Sequence, residues 1–172
     1  MNLNLWTSFI EIVNLHDCKD ETYFKNIVAW LNRNTYYFSD DLLKRHRLDA
    51  LLATDPAEYE VRSCGYSTLA NWKGIEESGI KRMKLDTFLM LVSDDLWEMF
   101  PTKRQQCAHC DVDEMRYVVI RTEDQDREEL ALECIQCGDL EYWDGRELQA
   151  NIQTIRPATK SDRLDLRLRF KR

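Results

Sequence analysis

Four of the six cysteines in this 172-residue chain stand in two C-x-x-C pairs, Cys107-Ala108-His109-Cys110 and Cys134-Ile135-Gln136-Cys137, with 23 residues between them. A C-x-x-C pair makes a tight turn that aims two sulfurs at one point. Two such turns supply four thiolates in a tetrahedron, which suits one zinc ion, a metal tolerant of soft sulfur and without directional demand of its own. The intervening residues are enough for two strands and a turn, so the metal would close the open end of a hairpin. Met115 to Thr122 is rich in β-branched and aromatic residues and reads as the first strand. Glu123 to Arg127 suits the turn, Leu130 to Cys134 the second strand, and Leu140 to Trp143 a third, ended by Asp144-Gly145. Four protein sulfurs leave no open coordination position. The ion is therefore expected to be structural, tying down a sheet too small to hold by burial alone.

This pattern resembles the zinc-ribbon family over about residues 105–145. The resemblance implies one structural zinc ion on Cys107, Cys110, Cys134 and Cys137. Gly138 directly after the second pair fits, since such turns favour a residue that tolerates positive φ. Asp111 at the matching place after the first pair departs from the pattern. His109, inside the first pair, is expected to face solvent. Cys18 and Cys64 stand apart and read as half-buried thiols. Met1 to His16 is apolar but lacks a basic start and carries Glu11, so it reads as a helix and not as an export signal. No window approaches the roughly 18 apolar residues that span a bilayer. A cytoplasmic protein is the expectation.

The first hundred residues read as helical. Trp6, Phe9, Ile10 and Val13 recur at helical spacing, and Phe24, Ile27, Val28 and Leu31 form a second stripe behind Asp20 as cap. Ser39, with Asp40 and Asp41 after it, announces a third helix whose apolar face is Leu43, Leu48, Leu51 and Leu52. Pro56 opens a short helix to Ser63. Another runs from Ser67 or Thr68 to about Glu77. Leu85, Phe88, Leu89, Leu91 and Val92 form the last stripe, with a separate short turn from Asp94 to Phe100. At the other end Leu164, Leu166, Leu168 and Phe170 alternate with charged residues, which predicts a strand with one buried face. The expected fold is α+β: a helical bundle over 1–101, then over 102–172 a small antiparallel β zinc ribbon with a C-terminal strand.

Charge separates two functions. Residues 111–147 hold thirteen acids against four bases, while 148–172 hold two acids against seven bases. An acidic ribbon repels phosphate backbones and attracts basic partners. Glu123, Asp124, Asp126, Glu128 and Glu129 would line such a surface, with Tyr142 and Trp143 as aromatic anchors. No phosphate loop, G-x-S-x-G or H-E-x-x-H occurs, so no enzyme is expected. A small acidic chain of this character is similar to bacterial immunity proteins, which neutralise basic nuclease toxins. The alternative is a DNA-binding regulator. Residues 56–92 resemble the helix-turn-helix of phage-repressor-type proteins, which implies that Ser67, Thr68, Asn71 and Lys73 face a major groove and that Lys81, Arg82 and Lys84 meet phosphate. Nucleic acid would then be met through the helical half. No membrane partner is expected, and the oligomeric state is open.

Overall fold

The computed structural model describes residues 3–14, 20–62, 72, 82–123, 127–144, 146, 148 and 151–169, the last five of these by their backbone alone. Helices come first and a small antiparallel sheet follows, so the chain is α+β. It divides into two compact units, Met1–Ala57 with Val61–Met99 and Glu58–Glu60 with Phe100–Arg172. Among the described residues no helix is long and apolar enough to cross a membrane.

In the helical unit, α1 (Leu3–Asn14) buries Leu5, Trp6, Phe9, Ile12 and Val13, and α2 (Asp20–Arg33) buries Phe24, Ile27, Val28 and Leu31 with Tyr23 and Trp30. These positions follow the 3.6-residue period, so each helix turns one apolar face inward. Phe9 is the centre of an aromatic cluster. Its ring lies 5.1 Å from Trp30, 4.9 Å from Trp72 and 5.1 Å from Phe88, each edge-on, the arrangement the ring quadrupoles favour. Two of the cluster's indole N–H groups have partners: Trp30 Nε1 donates to Ser8 Oγ at 2.9 Å, and Trp72 Nε1 donates to the Asp95 carboxylate. Phe88 and Asp95 lie on α5 (Leu85–Glu98), whose Leu89, Val92 and Leu96 are also buried.

Three helical expectations need correction. Ser39 does cap a helix, accepting from Leu42 N at 3.3 Å, but the single helix expected through Leu52 is two: α3 (Asp40–Arg45) and α4 (Asp49–Leu52). Arg47 takes φ 55 between them. The bonds Leu48 N→Leu43 O (2.8 Å) and Arg47 N→Lys44 O (3.0 Å) make the paired closure that ends a helix on a left-handed residue. Leu43 and Leu48, at its two ends, are buried. Pro56 opens only a 3-10 turn, Pro56–Glu58, at whose start Asp55 accepts the Ala57 N–H at 2.9 Å. The separate turn expected at Asp94 is the continuation of α5. The helix expected from Ser67 or Thr68 falls, apart from Trp72, outside the described residues.

The sheet unit has five strands: β1 (Thr102–Arg104), β2 (Glu114–Thr122), β3 (Glu129–Cys134), β4 (Leu140–Tyr142) and β5 (Ile152–Pro157). β2 is central. It pairs along its length with β3, from Met115↔Cys134 to Ile120↔Glu129. Its other edge is shared by β1, from Thr102↔Arg116, and by β5, from Val118↔Pro157. Burial on both faces follows from this position: Met115, Val118, Val119 and Ile120 are all buried. β4 adds to β3 through Leu132↔Glu141.

The C-terminal strand expected at Leu164 to Phe170 is instead a helix, α6 (Lys160–Arg169). A reciprocal cap decides it. Asp162 accepts from Thr159 N at 2.7 Å, and Asp162 N donates to Thr159 Oγ1 at 3.3 Å, a local signal for helix start that outweighs the alternation behind it. Arg156 then holds Asp162 at 2.7 Å and Glu128 at 2.6 Å, fastening the cap to the sheet.

Candidate metal centre

Backbone bonds shape both cysteine turns. In the loop between β1 and β2, Gln105 N donates to Asp113 O at 3.0 Å and Cys107 N to Val112 O at 2.9 Å. At the end of β3, Gly138 N donates to Cys134 O at 3.1 Å and Cys134 N to Asp139 O at 2.8 Å. Gly138 has φ 73, where only glycine is free of a Cβ penalty, as its position after the second pair implied. Because Met115 pairs with Cys134, the β2–β3 hairpin brings the second turn beside the first.

The four sulfurs all lie within 4.8 Å of one another. Cys107 Sγ is 3.6 Å from Cys137 Sγ, and Cys110 Sγ is 3.5 Å from Cys134 Sγ. Four sulfurs held ~2.3 Å from one ion stand ~3.8 Å apart in a regular tetrahedron. A disulfide would need ~2.05 Å, and the four cysteines are free thiols. The spacing fits metal coordination. Fully buried Met115 and Leu132 pack with buried Cys107 and Cys134, with Val112, Tyr117 and Trp143 against them, so one side of the cluster is apolar. Cys137 is exposed.

The four thiols also perturb one another. Burial opposes ionisation of Cys134, but the N–H groups of Cys137 and Gln136 and the neighbouring sulfurs bring its thiol down to about 7. Cys137 shows the opposite. The Asp139 N–H favours its thiolate, yet desolvation and the Cys134, Cys107 and Cys110 sulfurs push it up to about 12. One thiol that ionises readily and one that resists is what four crowded sulfurs give without a positive charge among them. A divalent ion held by these four residues would remove the conflict and release the protons.

Two side-chain bonds link the loop between β1 and β2 to the chain that follows the second pair. His109 Nδ1 lies 2.7 Å from Asp139 Oδ2, and Gln105 Nε2 donates to Glu141 Oε1. His109 is 71% exposed, the solvent-facing position expected of it. The sequence hinted at the first bond only by placing a histidine inside one pair and an aspartate just after the other. Nothing in it announced the second.

The other residues singled out from sequence are placed differently. Glu123 is exposed and bonded to Asn151 at 3.2 Å. Glu128 is paired with Arg156, and Glu129 with Arg127 at 2.8 Å and with Arg146. Tyr142 is 6% exposed beneath the Arg146 guanidinium, 4.4 Å from its ring centroid, and Trp143 packs on the sulfur cluster. These two rings serve the fold before they serve any surface. Arg82 and Lys84 are exposed, Lys84 directly before α5. Asp124, Asp126, Ser67, Thr68, Asn71, Lys73 and Lys81 lie outside the described residues, as do Cys18 and Cys64.

Fold and site together define an α+β protein with a four-cysteine cluster able to hold a metal ion, consistent with a zinc-ribbon-like module in its sheet unit. No protein family, characterised protein or solved structure matches the chain.

Proposed function

We propose that this is a non-catalytic cytoplasmic protein organised around one structural zinc ion, and that it acts by binding a basic protein. The observation that supports this most is the donor set. Four sulfurs and no carboxylate or imidazole close around one point, which favours zinc and leaves no coordination position for a substrate. Free thiols at these positions suit a reducing compartment.

The acidic excess of residues 111–147 supports a basic partner. Glu128 and Glu129 already carry arginines of this chain, so the partner's charge would be met first by acids such as exposed Asp111 and Glu123. A nuclease-type toxin has the required basicity, and immunity proteins provide the functional analogy in character. Affinity capture from lysate, with and without nuclease, tests this. The expected result is a basic protein retained after nuclease treatment and lost when Glu123→Lys, Asp124→Lys and Asp126→Lys are combined. Retention of nucleic acid that depends on Arg82 and Lys84, with a steep salt dependence, would transfer the function to the helical half and refute the proposal.

A further inference from the structure

The sulfurs of the cluster are unequally protected. Cys107 and Cys134 are 4% and 1% exposed, whereas Cys137 is open to solvent. A competing ligand must reach a sulfur–metal bond to displace it, so exchange begins at Cys137. For Cys137 to swing away, the turn that carries it must part from the loop that carries Cys107 and Cys110. Asp139, two residues beyond Cys137, is held across that gap by His109, itself between the two loop cysteines. The bond needs no charge on the imidazole, since a neutral ring protonated at Nδ1 donates to the carboxylate equally well in geometry.

We propose that His109 and Asp139 form a latch across the exposed side of the cluster and set how fast the metal leaves. This rests on zinc being the bound ion, and it adds a kinetic role for two residues that touch no metal. Breaking one charge-assisted bond half in water is expected to change a rate by about three- to tenfold. The Gln105–Glu141 bond joins the residues before Cys107 to β4 and does not involve the turn that carries Cys137.

The test uses the full chain loaded with zinc. Transfer of the ion to a chromophoric chelator is followed for wild type, His109→Ala, Asp139→Ala, the double variant and Asp139→Asn. Asp113→Ala, which removes an exposed acid from the same loop, controls for charge. Each single alanine variant is expected to bind one zinc per chain and release it about three to ten times faster. The double variant should be no faster than the faster single one, and Asp139→Asn, which keeps an acceptor oxygen but loses the charge, should release at a rate between those of wild type and Asp139→Ala. Unchanged rates in the alanine variants, additive effects in the double, or equal acceleration by Asp113→Ala would overturn the latch. A wild-type protein that purifies folded and without zinc would overturn the assignment of the ion and the latch with it, an outcome distinct from the others.

Discussion

Replacing Asp95 by asparagine should make the helical unit more stable at pH 8 and remove part of its pH dependence. Asp95 is 8% exposed. Burial, reinforced by the nearby Glu98 and Asp94 charges, raises its carboxyl from the ordinary 3.8 to about 7, although the Trp72 indole N–H bonded to it favours the ionised form. Between these two values the folded state holds a proton that the unfolded state has lost. Stability from this group is therefore full below 3.8, falls as pH rises, and levels off above about 7. At about 1.4 kcal/mol per pH unit, the ionised carboxylate costs on the order of 4 kcal/mol above pH 7. The substituted amide is neutral at every pH and keeps an oxygen for Trp72. The advantage of Asp95→Asn over wild type should grow by about 2–3 kcal/mol between pH 5 and pH 8. Contributions common to both proteins cancel in that difference. Urea unfolding followed by tryptophan fluorescence at four pH values in this range measures it. A stability difference that stays constant across the range would refute the reasoning.

Phe9→Ala should destabilise the helical unit by about 3–5 kcal/mol, because Phe9 is fully buried and its ring meets three others edge-on; chemical denaturation followed by circular dichroism would show it. Gly138→Ala should cost about 1–2 kcal/mol from the left-handed backbone alone, since a Cβ there meets nothing within 4 Å; the measurement is the shift in urea midpoint of the zinc-loaded protein, and a shift beyond twice that size would point to a clash. Asp162→Ala should loosen the start of α6 by about 1–2 kcal/mol, because it removes both the cap on Thr159 and a partner of Arg156; faster amide exchange at residues 160–164, with β2 unchanged, is the expected signature.

The sequence announced the four-cysteine cluster because the donor spacing is itself the geometry: two turns, two strands and one hairpin leave few alternatives. β2 and β3 were legible from β-branched residues between those turns, and α1, α2 and α5 from stripes that end in one aromatic cluster. β1 and β5 were not. Each is a strand because it finds a free stretch of the β2 edge, a tertiary fact that no local pattern carries. The alternation from Leu164 to Phe170 has the period of a strand, but the Thr159/Asp162 cap that precedes it starts a helix. Arg47 hid a helix end because the residue expected in a left-handed position is glycine or asparagine. At the site, composition suggested an open acidic face with aromatic anchors. Arginines brought in from β5 and from the segment after β4 neutralise part of it, Tyr142 is buried, and Trp143 packs half-buried against the sulfur cluster.

Metal content bears most directly on all of this. The purified chain, analysed by native mass spectrometry and elemental analysis, is expected to carry one zinc ion. Replacement of the zinc by cobalt should give the intense visible and near-ultraviolet bands of a tetrahedral four-sulfur site. Serine at Cys107, Cys110, Cys134 or Cys137 should each weaken the metal and loosen the β2–β3 hairpin. A chain that folds the same sheet without metal, or that keeps its ion after all four cysteines are replaced, would contradict the assignment of these residues as a structural metal centre.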